Sequence, residues 1–301
     1  MSILDSITRF VKDPPPSYVF EVSEQGMAYA RPSGSGRLPD EVGFVPFEPG
    51  TLVASPVEDN VKQPDLMASL IARMAPQADA RKPKRRRPAA VILPDYAARV
   101  TVLDFDSFPP SPEERLSLIR FRLKKTIPFD VDSAAVSYFV QPSREKGKID
   151  VVAVAVALEV IARYEALFRS ADLHPGEITT SSLAALNLYR DQDGAGAGVG
   201  VVAKLSGHVL TAMVVAQGVL KLFRCVELEQ ATLEEVLAVL HPTLAYVEDE
   251  LSSPASRVVV CGFPPNQLSG LRCPVEPMRS QHGAPGAANG GLLGYLEGAL
   301  N

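Results

Sequence analysis

The chain of 301 residues has no tryptophan, only three cysteines and four histidines. Cys225, Cys261 and Cys273 show no C-x-x-C spacing and are odd in number, which points to a reducing compartment. The histidines at 174, 208, 241 and 282 are scattered, without the H-x-x-x-H or H-E-x-x-H spacing of a zinc site, so no metal is expected. No apolar run approaches the roughly 20 residues that cross a bilayer. The opening MSILDSITRFVKD lacks a basic segment followed by an apolar one, so a secretory signal is not expected either. A net charge of −5 argues against nucleic acid as a partner of the whole chain. These absences together lead to the expectation of a cytoplasmic protein.

What is present is an ordinary globular balance, 46% hydrophobic and 22% charged, with length enough for two core-forming units. Ile3, Leu4, Ile7, Phe10 and Val11 fall at helical spacing, and Pro14-Pro15-Pro16 ends that segment. Tyr18 to Ala30 reads as a hairpin turning at Gln25-Gly26. Residues 64–75 read as a helix, and "ARKPKRRRP" is a basic run between Arg81 and Arg87. With two prolines in it, a solvated loop is the expectation, and contact with anionic lipid the alternative. Residues 99–105 form a strand. Ser111-Pro112-Glu113-Glu114 is then a helix start, with an N-cap serine, proline at the first helical position and a capping glutamate.

Strands are expected at 134–141 and 150–157, a helix from Leu158 to Ser170, a strand near 175–179 and a helix over "SSLAALNLYR". "DQDGAGAGVG" is a glycine-rich link into "GVVAKLSGHVLTAMVVAQGVLKLFRC", three strands turning at Ser206-Gly207 and Gln217-Gly218. Thr232-Leu233-Glu234-Glu235 repeats the capping pattern and opens a helix to about Leu251, with Pro242 inside it. "RVVVCGF" is a buried strand, and "NGGLLGYLEGAL" a terminal helix. This order makes the chain α/β with two halves.

Several stretches resemble PilM, the actin-like component of type IV pilus machines. "IRFRLKKTIPFDVDSAAVSYFV" is similar to the PilM region where a helix meets an Ile-Pro-Phe turn and then a strand. "DVVAVAVALEVIARYEALFRSADLHPGEITTSSLAAL" is similar to the segment that follows it. The cytoplasmic domain of the type II secretion protein GspL has a similar frame and is the near alternative. The resemblance implies an α/β, actin-like (RNase H-like) two-lobed fold with a 1C-type insertion and a reduced second lobe. It places a lead-in helix and linker at 1–16. The first domain would hold 17–96 with 179–192 and 285–301, the insertion 97–178, and the second domain 197–284.

The resemblance also locates a nucleotide cleft, which can be tested against the residues. Typical members carry Asp-x-Gly in the first phosphate loop. Here Glu21 keeps a carboxylate, Ser23 replaces the glycine, and Glu24 adds charge that repels phosphate. The second loop, normally Asp-x-Gly-x-x-x-Thr, falls on Lys204, Ser206 and Gly207 and ends at apolar Leu210. The adenosine loop falls on Gly262 and is followed by Pro264-Pro265, which remove N–H donors. Only "VELEQA" joins the meander to the long helix, where typical members have a few dozen residues. The expectation is a degenerate cleft and no cofactor, the alternative ATP with Mg.

The resemblance further implies a partner, the cytoplasmic tail of an inner-membrane PilN-like protein, lying between the first domain and the insertion. Val22, Arg115, Arg122, Lys125, Ile127 and Phe129 are the expected contacts, with the hairpin from Val19 to Met27 as the opposite wall. Other pilus-machine components and the chain itself are further expected partners. The function expected is a non-catalytic scaffold at the inner face of the inner membrane, attached peripherally through its partner. The alternatives are a PilM whose nucleotide state gates assembly, and a sugar-kinase-like enzyme on the same fold.

Overall fold

A computed structural model describes residues 16–300 apart from 33–38, 40, 77–86, 142–147, 191, 193–197 and 269. The expected lead-in helix at 3–11 and the basic run up to Arg86 lie outside the described residues. In chain order the elements are β1 (Tyr18–Ser23), β2 (Gly26–Arg31), β3 (Glu41–Pro46), α1 (Pro64–Met74), β4 (Arg87–Leu93) and β5 (Arg99–Phe105). Then come α2 (Pro112–Leu123), β6 (Ala134–Val140), β7 (Ile149–Ala157), α3 (Leu158–Ser170), β8 (Leu173–Thr180) and α4 (Ser181–Arg190). The second half holds β9 (Val199–Ser206), β10 (Val209–Ala216), β11 (Val219–Glu227), α5 (Leu233–Glu250), β12 (Ala255–Cys261), β13 (Val275–Pro277) and α6 (Gly290–Leu300).

Two five-stranded sheets have the same topology. The first runs β3-β2-β1-β4-β8 and the second β11-β10-β9-β12-β13. In each, a meander of three antiparallel strands is followed by two strands that add parallel to the meander's first strand. Two lobes built on one plan follow from two copies of the same strand order, although no repeat is visible in the residues.

Apolar burial assigns the helices to faces. α1 and α3 cover one face of the first sheet, where Met67, Ile71, Tyr164 and Phe168 pack on Phe20, Val22 and Met27. α5 covers the outer face of the second sheet through Val236, Leu240 and Val247. α4 and α6 lie between the sheets: Leu292, Tyr295 and Leu296 pack on Val19, Ala28 and Ile92, while Leu188 and Tyr189 pack on Val202 and Met213. Glycine permits that central pairing. A Cβ on Gly294 would lie 2.2 Å from the Ala184 carbonyl oxygen, and one on Gly291 would lie 2.9 Å from that of Ser181.

The insertion is smaller than 97–178. Its three-stranded sheet, β5-β7-β6, spans residues 99–157 and carries α2 on one face through Ile119 and Leu123. The rest of the expected span belongs elsewhere: β8 pairs with β4, and α3 packs in the first-lobe core. The insertion is tied to the second lobe by Gln141, whose amide donates to Leu220 O and whose Oε1 accepts from Leu220 N, both at 2.8 Å.

Local signals translate directly into elements. Ser111 caps α2 by accepting from Glu114 N. Thr232 and Glu235 form the reciprocal capping box of α5. The Gln217-Gly218 turn is placed as expected, both residues at positive φ (52° and 80°). Two other turns sit one residue away from the expectation. β1 and β2 turn at Glu24-Gln25, with Ser23 opposite Gly26, and β9 and β10 turn at Gly207-His208. β3 was not foreseen; it is an edge strand with Val42 and Phe44 more than 40% exposed.

Candidate functional site

The two meanders direct their hairpin turns toward each other. A Cβ on Gly207, in the β9–β10 turn, would lie 3.6 Å from Glu24 Oε2 in the β1–β2 turn. Glu24 is held there because its Oε1 accepts the Ala54 N–H at 2.8 Å. Ser23 turns back on its own hairpin and donates to Gly26 O at 2.9 Å. Ser206 pairs with Val209 across the β9–β10 turn.

Between the lobes and below these turns lies a buried polar cluster. Glu21 on β1 is 1% exposed, as is Lys204 on β9, and Asp95, just after β4, is 5% exposed. The Lys204 ammonium is 4.0 Å from Glu21 Oε1, 4.0 Å from Asp95 Oδ2 and 3.5 Å from the Ala287 carbonyl oxygen. Each carboxylate has further donors. Ser181 Oγ donates to Glu21 Oε1, and Leu292 N donates to Oε2 at 2.7 Å. Ser182 donates to Asp95 through its amide at 2.7 Å and its hydroxyl at 2.5 Å, and Thr211 adds a bond at 3.2 Å. Ser181, Ser182 and Leu292 stand at the starts of α4 and α6, so the positive ends of both central helices face the acids.

Burial pushes the Glu21 carboxyl above its ordinary value, although Lys204 and the donors from Ser181 and Leu292 pull it down. Burial opposes the charge on Lys204, but Asp95 and Glu21 outweigh it and hold its pKa above the ordinary lysine value. Burial is the main reason Glu21 stays pushed upward, and the second carboxylate, Asp95, adds to it in the same direction.

The segment before α6 closes over this cluster. Gly262 sits at φ 89°, where a Cβ would meet Leu205 O at 2.0 Å and Ala287 Cα at 3.1 Å. Cys261 Sγ donates to Gly286 O at 3.4 Å, and a Cβ on Gly290 would meet that sulfur at 2.8 Å. The stretch from Gly286 to Gly290 therefore packs on Gly262, Cys261 and the Lys204 stem together.

Of the six residues expected at the cleft, Glu21 and Lys204 touch one site and Gly262 borders it. Ser23, Ser206 and Gly207 belong to the hairpin turns at its mouth. Sequence reasoning missed Asp95, Ser181, Ser182, Thr211 and Ala287. Asp95 did leave a signal, an acid following the buried strand "AAVIL" after a single proline.

The arrangement of lobes can be compared with known folds. No family model matches the chain, and no curated protein does. Among solved structures it is similar to the PilM-PilN type IV pilus biogenesis complex, with TM-score 0.69, 17% identity and cover of 95% of this chain and 98% of that one. The fold is the actin-like fold of PilM. The cytoplasmic domain of EpsL, an inner membrane component of the type II secretion system of Vibrio cholerae, is similar at TM-score 0.52 and 13% identity, covering 94% of each chain. A Bacteroides thetaiotaomicron protein with an actin-like ATPase fold and unknown function is similar at TM-score 0.55 and 13% identity, covering 92% of this chain and 95% of that one.

Within this PilM-like frame the expected partner contacts divide. Val22 is 0% exposed in the first-lobe core, so it is not a surface contact. The β1–β2 hairpin is likewise no wall: it lies inside the five-stranded sheet, with Val19, Phe20 and Met27 fully buried. Arg115 packs over Phe108 at 5.2 Å and donates to Pro109 O. Arg122 lies over Phe105 at 5.3 Å and pairs with Asp104 at 3.6 Å while remaining 43% exposed. Lys125 is exposed, and Ile127 and Phe129 are half-buried against the insertion core. The same unit exposes Phe121 and Phe139, 66% and 65% respectively. Among the described residues no helix is long and apolar enough to cross a membrane.

Proposed function

We propose that this chain is an actin-like scaffold of a type IV pilus or type II secretion-like machine, working at the cytoplasmic face of the inner membrane without using ATP. It docks the cytoplasmic tail of a PilN-like membrane protein and reaches the membrane through that partner. The observation that carries the non-nucleotide part is Lys204. A phosphate loop needs an aspartate to organise a metal ion and its waters. Here the chain supplies its own cation at that loop, held between Glu21 and Asp95. A Mg-nucleotide entering between the lobes would have to displace an ammonium already paired with both acids, and would find Gly286–Gly290 against the adenosine loop.

Docking of a tail is supported by the likeness to a PilM that was solved with PilN, over nearly the whole length of both chains. On the insertion, exposed Phe121 lies on α2 itself, one turn before Lys124 and Lys125, a surface suited to an extended peptide with an apolar anchor. The test is a calorimetric titration with the tail peptide of a PilN-like protein encoded beside this gene, with and without Mg-ATP. Binding at the same affinity in both conditions, weakened by Arg122→Glu, is expected. No binding would remove the partner, and an affinity that moves with Mg-ATP would replace the scaffold with a nucleotide-gated assembly factor.

A further inference from the structure

Helix α5 buries Val236, Leu240, Thr243 and Val247 against the second sheet. Its opposite face should be charged, as on most surface helices. It is not. From Val236 to Val247 there is no Asp, Glu, Lys or Arg, and the exposed residues are Ala238, His241, Pro242 and Ala245, after Leu233 at 43% exposure, with Leu237 half-buried beside them. Two hollows follow this face. One is shallow and open over Leu233, Leu237 and Ala238, and the other, deeper and of about 310 Å³, runs past Leu244 and Ala245 toward Pro254 and Leu271. Both border His241, so they adjoin as one shallow groove along the helix.

Charge is concentrated at the ends of the groove. Glu234 and Glu235 stand in the first turn of α5, and Glu248, Asp249 and Glu250 in the last. Among the described residues, Arg272 is the one arginine or lysine lining either hollow. Pro242, in the middle, has no N–H to give the Ala238 carbonyl four residues earlier.

We propose that this groove docks an amphipathic helix of another protein, apolar along one stripe and basic at both ends. The charge pattern chooses against a second copy of this chain. In an antiparallel pairing of α5 with α5, the acidic first turn of one meets the acidic last turn of the other. In a parallel pairing, each acidic turn meets itself. A partner with lysine or arginine at both ends meets complementary charge, and complementarity of this kind sets specificity. The site lies on the second lobe, a different unit from the insertion on which the tail is proposed to dock.

The test uses the full chain and two synthetic helical peptides as long as α5, sharing one leucine and alanine stripe, one ending in lysine pairs and the other in glutamate pairs. In fluorescence anisotropy at low salt the lysine-ended peptide is expected to bind roughly tenfold tighter, with the gap narrowing as salt rises. Ala238→Arg, on an exposed position, should weaken that binding by a similar factor with an unchanged circular dichroism spectrum. Equal binding of the two peptides, or binding indifferent to both Ala238→Arg and His241→Asp, overturns the proposal. So does self-association in sedimentation that Ala238→Arg dissolves, which gives the face to a second copy. Competition by a peptide of residues 1–15 gives it to the chain's own segment, with the same consequence.

Discussion

Lys204 Nζ lies 4.0 Å from Glu21 Oε1, and the two side chains reach each other from opposite lobes, each 1% exposed. The ammonium thus acts as an internal counterion between the sheets. Removing one partner of a buried pair leaves an uncompensated charge and costs about 3–5 kcal/mol. Lys204→Met should lose stability on that scale in urea unfolding, and adding Glu21→Gln should restore part of it. A loss below about 1 kcal/mol, the scale of an exposed pair, would show that the cluster is not electrostatically coupled.

Nucleotide binding is tested by heat. A micromolar site at millimolar ATP adds about 4 kcal/mol of stability. If Lys204 takes the place of the metal, as proposed, Mg-ATP should leave the melting temperature where it is. A clear rise would mean that the ammonium yields to the metal.

Alkaline stability follows from Cys261, which is 1% exposed. Burial pushes its thiol from 9.0 up to about 11, with Lys204 pulling the other way. A folded pKa above the unfolded one gives stability that is complete below 9.0 and is lost as pH climbs to about 11, since only the unfolded chain releases the proton there. This thiol alone adds a downward slope of about 1.4 kcal/mol per pH unit. Lys204, also raised, keeps its contribution below 10.5 and loses it only above. Urea unfolding across that interval should therefore show a flatter decline for Cys261→Ala than for the unchanged chain. Equal slopes would reject the argument.

The central helix pair gives a steric prediction. In Gly294→Ala the new methyl would sit 2.2 Å from the Ala184 carbonyl oxygen, a backbone atom that cannot rotate away. Overpacking of this kind costs about 1–3 kcal/mol. Gly176→Ala, with no atom within 4 Å of the new carbon, serves as the control and should be far milder in thermal unfolding.

Most of the elements could be read from the residues because their causes are local. The Thr232 cap and its Glu235 partner are three positions apart, and Ser111 answers Glu114 over the same distance. The exact turn at β1–β2 was misread because Gly26 suggests a turn residue. In the structure it is the first residue of β2, and its missing side chain makes room for the Val45 carbonyl, 2.4 Å from where a Cβ would stand. β3 escaped because an edge strand of six residues with Gly43 and Pro46 has no buried alternation to announce it. The site was half legible. Glu21 and Lys204 could be placed by their positions on matching strands. Asp95 could not, since its partners Ser182 and Thr211 are 87 and 116 positions away. The insertion was drawn too wide for a related reason: nothing in "LHPGEITT" says that its neighbour is β4, more than eighty residues earlier.

The bond from Leu292 N to Glu21 Oε2 spans 271 positions. Contacts of such sequence separation are slow to form, because a long loop must close before any of them rewards the chain. β1 carries an acid on the face that α6 will cover, so the first sheet cannot bury that face cheaply until residues 290–300 arrive. Assembly of the two lobes and arrival of α6 should then come as a single late step. A chain cut at Gly286 should therefore stall as a collapsed intermediate with two partly formed sheets, exposing apolar surface to aggregation.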